Sequence, residues 1–175
     1  PDRHGAYSWS MRAHPDGNRM VTSSHDGTIR IWGIKTARCL NVLAGHQGEV
    51  SGIACHPNGQ LLVSTSHDRT VRLWDADSGQ CLKVLQGHQA NVWDVAFSPD
   101  GEILATVSFD HTIRLWETRT GRSLKTVKGS YLAIWDVMFS PDGKTLISGG
   151  EDRKLRFWNL EQAKESGQAT TVFEA

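Results

Sequence analysis

Long apolar runs are missing from this sequence. No stretch approaches the roughly 20 residues that a membrane-spanning helix requires, so the chain offers no candidate span. An excess of either charge is missing too: 19 Lys and Arg residues meet 19 Asp and Glu residues, for a formal net charge of +0. That balance, with no extended run of like charge, argues against a nucleic acid or a membrane surface as partner. The opening residues, Pro1 to Ser10, lack the apolar stretch of a secretion signal, and the absence of an initiating methionine points to a fragment or a processed chain. Cysteine is scarce, at 3 residues. Cys39 and Cys81 stand 42 residues apart at one position of a repeat, and Cys55 falls inside an apolar strand pattern, where a small buried thiol fits. An odd count without a disulfide framework points to a reducing compartment, and the cytoplasm is the expected location.

What the chain has in quantity is repetition. "HDRTVRLWD" at His67 returns as "HDGTIRIWG" at His25, "FDHTIRLWE" at Phe109 and "EDRKLRFWN" at Glu151. Trp32, Trp74, Trp116 and Trp158 follow one another at intervals of 42 residues. Within the second unit, apolar strands over Val50 to Cys55, Leu61 to Ser66, Thr70 to Asp75 and Gln80 to Leu85 are separated by "HPNG", the Asp68 turn and "ADSG". Four short strands per period, punctuated by Pro, Gly and Asp, predict an antiparallel four-stranded meander.

These units resemble WD repeats, the blades of a β-propeller. The resemblance rests on the Gly-His pair, the "SPDG" turns at Ser98 and Ser140, and the Asp-x-Thr-x-Arg-x-Trp run, and it covers nearly the whole chain. It implies an all-β fold of four blades, approximately residues 1–45, 46–87, 88–129 and 130–175, each stable only when stacked on neighbours. It also implies a hydrogen-bonded structural set in each blade: His4, Ser24, Asp26 and Trp32; His46, Ser66, Asp68 and Trp74; His88, Ser108, Asp110 and Trp116. The recurring Ser, His and Asp do not read as a hydrolase triad, since a nucleophile must be exposed beside an oxyanion hole. Nor do the histidines read as a metal site, because 7 of the 8 fall on repeat positions a whole blade apart. No cofactor, metal or catalytic group is expected, and the chain is not expected to be an enzyme.

The fourth unit departs from the pattern. Ser130 stands where the other units have His, Gly150 replaces the strand Ser, Lys154 replaces Thr, and roughly four extra residues follow Trp158. Its polar set should therefore be incomplete, and residues 130–175 read as the last blade. Rings of WD repeats usually have seven or eight blades, so four make about half a ring. Closure then requires further blades of the same protein or a second copy, because an open half-ring exposes two apolar faces.

Function is expected in the positions the repeats do not share. Before the turn Asp stand His25, His67, Phe109 and Glu151; after it stand Gly27, Arg69, His111 and Arg153. Near the start of the inner strand stand Trp9, Ser51, Trp93 and Trp135, which either line a funnel or, sharing strand parity with Val95 and Phe97, pack between blades. Aromatic and Arg residues on one rim suit a protein or peptide partner, with His25, His67, Arg69, Trp93, Phe109, His111, Trp135, Glu151 and Arg153 as the candidate face. The units are similar to the C-terminal propellers of multidomain signalling ATPases and kinases, although no Walker or kinase motif is present. That likeness implies a non-catalytic interaction or sensing module. The alternative is a propeller serving as platform for an active site.

Overall fold

Alternating apolar and polar residues between Gly- and Asp-bearing turns give sixteen strands in a computed structural model that describes residues 3–160 and the backbone of 171–174. The first blade comprises β1 (Ser8–Ala13), β2 (Arg19–Ser24), β3 (Thr28–Gly33) and β4 (Arg38–Ala44). The second holds β5 (Val50–Cys55), β6 (Leu61–Ser66), β7 (Val71–Asp75) and β8 (Cys81–Leu85). The third holds β9 (Val92–Phe97), β10 (Ile103–Ser108), β11 (Thr112–Glu117) and β12 (Ser123–Lys128). The fourth holds β13 (Ile134–Phe139), β14 (Thr145–Gly150), β15 (Lys154–Asn159) and β16 (Thr171–Glu174). Each sheet is an antiparallel meander in chain order, and together they form a partial propeller. The residues inserted after Trp158 fall largely within 161–170, outside the described residues.

The core lies between blades, so every sheet must be apolar on both faces. Val21, Ile29, Ile31 and Leu43 of the first blade pack on Val50, Ile53, Leu62 and Trp74 of the second. Val63, Val71, Leu73 and Leu85 on the second blade's other face meet Val92, Val95, Leu104 and Trp116. Ala105, Val107 and Ile113 meet Ile134, Val137, Leu146 and Trp158. Each repeat tryptophan thus faces the preceding blade: Trp74 is 1% exposed, while Trp32 in the first blade is only half-buried. At the other end Met138 and Leu155 are exposed.

The two strand ends of the blades differ in sequence character. At one end the β1–β2 type of turn is nearly uniform, "HPDG", "HPNG", "SPDG" and "SPDG", with Pro second, Gly fourth and the Gly at positive φ. At the opposite end the Asp turns differ in every unit. Their third residue has a φ between 59° and 79°, a region that suits Gly27 but costs Arg69, His111 and Arg153 about 1–2 kcal/mol each.

Candidate interaction face

The shared polar residues build a relay inside each blade. Trp74 Nε1–H donates to Ser64 Oγ at 2.8 Å, and Ser64 Oγ lies 2.8 Å from His46 Nε2. His46 Nδ1 lies 2.8 Å from Asp68 Oδ2. With Asp68 ionised, the arrangement that satisfies every donor runs one way: indole to hydroxyl, hydroxyl to imidazole, imidazole to carboxylate. The carboxylate also accepts from the backbone N–H of Gln47 and Thr70 and from Thr70 Oγ1, tying the turn to the incoming loop. Burial pushes the Asp68 carboxyl up, but the bonds from His46, Thr70 and Gln47 outweigh it and hold it well below the usual range. Asp110 behaves in the same way with His88, Thr112 and Gln89, and Asp26 settles at about 2.

The hydroxyl of the relay is a correction to the sequence reading. It belongs to Thr22, Ser64 and Thr106, not to Ser24, Ser66 and Ser108. Positions two apart share a face of the strand, so both reach the same side. Strand register decides between them: Trp74 lies opposite Leu62, which brings its indole beside Ser64, whereas Ser66 sits at the turn and accepts from the Asp68 backbone N–H at 3.0 Å. Ser24 and Ser108 serve the Asp26 and Asp110 turns likewise.

The same register corrects the fourth blade. Its hydroxyl is Ser148, which accepts from Trp158 Nε1 at 3.0 Å, so the change at Gly150 removes nothing from the relay. The missing imidazole is replaced by rewiring. Ser130 Oγ donates to Asp152 at 2.9 Å, and the Arg156 guanidinium reaches the same oxygen at 2.5 Å. Arg30, Arg72 and Arg114 hold the equivalent position in the other blades, where His lies on the Asp. Arg72 there contacts Cys81, and Arg114 lies over the Trp116 ring.

None of the relay hydroxyls is accessible as a nucleophile; Ser64 is 0% exposed. Cys55 is no substitute, since burial pushes its thiol up to about 11. Among the described residues no group of three or more His, Cys, Asp or Glu side chains could hold a metal ion.

The unshared residues gather at the Asp-turn end. His67 and Phe109 both stack on Trp93, with ring centroids 5.2 and 5.0 Å away and planes within 21° and 13°. Phe109 therefore extends an aromatic surface. Trp9 meets Trp93 edge-on at 5.8 Å. Glu49, which the sequence reading did not single out, links this group to the first blade: its carboxylate lies 2.9 Å from His25 Nε2 and 3.5 Å from His67 Nδ1. Arg69 is exposed and lines a groove with Gln86 and Gln89, His111 is half-buried in its turn, and Glu151 and Arg153 are exposed on the fourth blade.

A β-bulge explains why the inner-strand tryptophans do not follow the parity of Val95 and Phe97. Ser8 and Ser10 pair with consecutive residues of β2, leaving Trp9 without a partner; Trp93 and Trp135 are skipped in the same way. An extra residue on one strand re-aims its side chain. Trp9 and Trp135 are 47% and 48% exposed, and with Trp93, which also stacks on His67 of the second blade, they line one central cavity of about 650 Å³. Ser51, their counterpart on the second blade, is buried and donates to the Val92 carbonyl at 2.7 Å.

Four stacked meanders, three of them closed by an Asp-anchored relay onto a Trp, define a WD-repeat propeller. The family model for the first β-propeller of IFT122 matches residues 6–173, and the chain belongs to that WD-repeat β-propeller family. Among curated proteins it is similar to human WD repeat-containing protein 86, 38% identical over 50 residues, which is 29% of this chain and 13% of that protein. It is also similar to pop1 of Schizosaccharomyces pombe (40% over 52 residues, 25% of this chain, 7% of that protein). Human angio-associated migratory cell protein is 43% identical over 44 residues, 25% of this chain and 10% of that protein. The matched stretches therefore span 7 to 13% of these relatives. Propellers of this family generally act as protein-interaction scaffolds and are typically non-catalytic.

Proposed function

We propose that this chain is the interaction module of a larger cytoplasmic regulatory protein and that it binds a protein or peptide through its Asp-turn face. The observation that carries this reading is the stack of His67 and Phe109 on Trp93. It joins three unshared residues into a surface, above a frame that the shared relays hold rigid. Aromatic anchors on such a frame have the character of binding hot spots. The opposite end, with its four near-identical Pro-Gly turns, offers no comparable variety.

The test begins with peptides selected from a displayed random library against the wild-type chain. Phe109→Ala should weaken the selected peptides at least fivefold while Tm stays within a few degrees. Asp100→Ala, in an exposed turn at the other end, should leave them unchanged. Loss of binding in Asp100→Ala alone would move the surface to the opposite end.

A further inference from the structure

The central cavity has a composition that a generic hot spot does not require. Beside the re-aimed indoles of Trp93 and Trp135, the next residues along β9 and β13 are Asp94 and Asp136, and both carboxyl groups line the same space of about 650 Å³. Asp94 is buried and accepts from the Val137 backbone N–H at 3.2 Å, while Asp136, which lines the same space, is exposed. Gly52 permits this placement: a Cβ there would lie 2.9 Å from the Asp94 Cα. The rings of Trp9 and Trp135 are the accessible aromatic surfaces, since Trp93 is engaged by His67 and Phe109.

We propose that this cavity receives the guanidinium of an arginine side chain presented by the partner, an assignment that rests on reading this face as the interaction surface. Two carboxyl groups exclude an anion. An apolar anchor would desolvate them without pairing them, which is costly. A cation is attracted by both the carboxylates and the indole faces. Arginine suits them better than lysine, because a planar guanidinium stacks on an indole while its N–H groups engage a carboxylate in pairs.

The Asp pair also fixes how binding responds to pH. Burial, and then the hydrogen bond and charge of Asp136, raise the Asp94 carboxyl to about 7. The other charged group lining the cavity is Arg12 on β1, whose guanidinium donates to the Met11 carbonyl at 3.0 Å and, among the described residues, forms no ion pair with either carboxylate. Of the neighbouring strands, β6 and β10 bring no ionisable side chain and β5 only the Cys55 thiol, which lines a second cavity that Arg12 and Asp136 also border. A proton held on the raised Asp94 carboxyl is released to solvent when a guanidinium pairs with it. A group whose carboxylate form alone pairs with the cation strengthens binding as pH rises through its value near 7.

The test uses the full chain and the indole N–H resonances, with the buried Trp74, Trp116 and Trp158 as internal controls. The peptide N-acetyl-Gly-Gly-Arg-Gly-Gly-amide should shift Trp9, Trp93 and Trp135 saturably. Its citrulline analogue, the neutral isostere, should bind at least tenfold more weakly, and the lysine analogue more weakly than arginine. Affinity for the arginine peptide should fall from pH 8 to pH 6, because the Asp94 carboxyl is raised by burial and pairs with the cation only when ionised. Asp136→Asn, at an exposed site, should cost at least tenfold with Tm held, and Asp94→Asn should flatten the pH profile. Equal binding of citrulline or lysine, shifts confined to the repeat tryptophans, or full affinity in Asp136→Asn would each overturn the assignment. If the arginine peptide fails while Phe109→Ala still weakens the selected peptides, the arginine assignment falls and the interaction face stands. Failure of both removes the face as well.

Discussion

Replacing Ser64 by Ala removes one oxygen from the centre of the second blade's relay. That oxygen accepts from Trp74 Nε1, on a side chain 1% exposed, and meets Nε2 of His46, whose side chain is 0% exposed. The space left is too small for a water molecule, so two buried polar groups lose their partner together. At about 1–3 kcal/mol for each group, the loss is about 2–6 kcal/mol. For a chain of this length that lowers Tm by roughly 4–24 °C, read by circular dichroism or calorimetry. Ser66→Ala should cost about 1 kcal/mol or less, because its hydroxyl serves one turn N–H. Ser64→Thr should be tolerated, since Thr22 and Thr106 make the same bonds in sister blades. A larger loss in Ser66→Ala than in Ser64→Ala would refute the register on which the relay depends.

Asp68→Ala should destabilise the chain by about 1–3 kcal/mol, and Asp152→Ala by less, because Arg156 can turn to solvent while His46 is enclosed; equal losses in Tm would contradict the rewired fourth blade. The carboxyls of Asp26, Asp68 and Asp110 are all held below their ordinary values, so their stabilisation is present above about pH 4 and is lost as pH falls through the folded values. A Tm profile should drop between about pH 5 and pH 2, and Asp110→Asn should flatten that drop; an unaltered slope would separate the relay from acid stability. The half-buried Trp32 face and the exposed Met138 and Leu155 predict self-association of the isolated chain at micromolar concentration in sedimentation velocity; a compact, cooperative monomer would show that the ends need no cover.

The blade architecture was legible because it is said four times: the 42-residue spacing of Trp32, Trp74, Trp116 and Trp158 and the recurrent Pro-Gly and Asp turns leave little choice of topology. The partner of the indole was not legible. Ser64 and Ser66 have the same chemistry and the same strand parity, and only the pairing of Leu62 with Trp74 separates them. The bulges at Trp9, Trp93 and Trp135 were hidden for a related reason, since a period-two pattern carries no mark of the residue that the partner strand skips. The loss of His at Ser130 was visible, but its compensation was not: Arg156 has counterparts in every blade, and only the space left by the imidazole brings it onto Asp152. The sequence named the rim only as a set of positions. Its cohesion, with His67 and Phe109 both on Trp93 and Glu49 bridging two histidines, required three dimensions.

The claim that recognition belongs to the variable Asp-turn face is most directly tested by amide hydrogen exchange of the chain with and without a saturating selected peptide. Protection should appear at 67–69 and 109–111 and in the inner strand around Trp93, with the turns at 57–59 and 99–101 unchanged. Protection confined to those Pro-Gly turns would contradict the account.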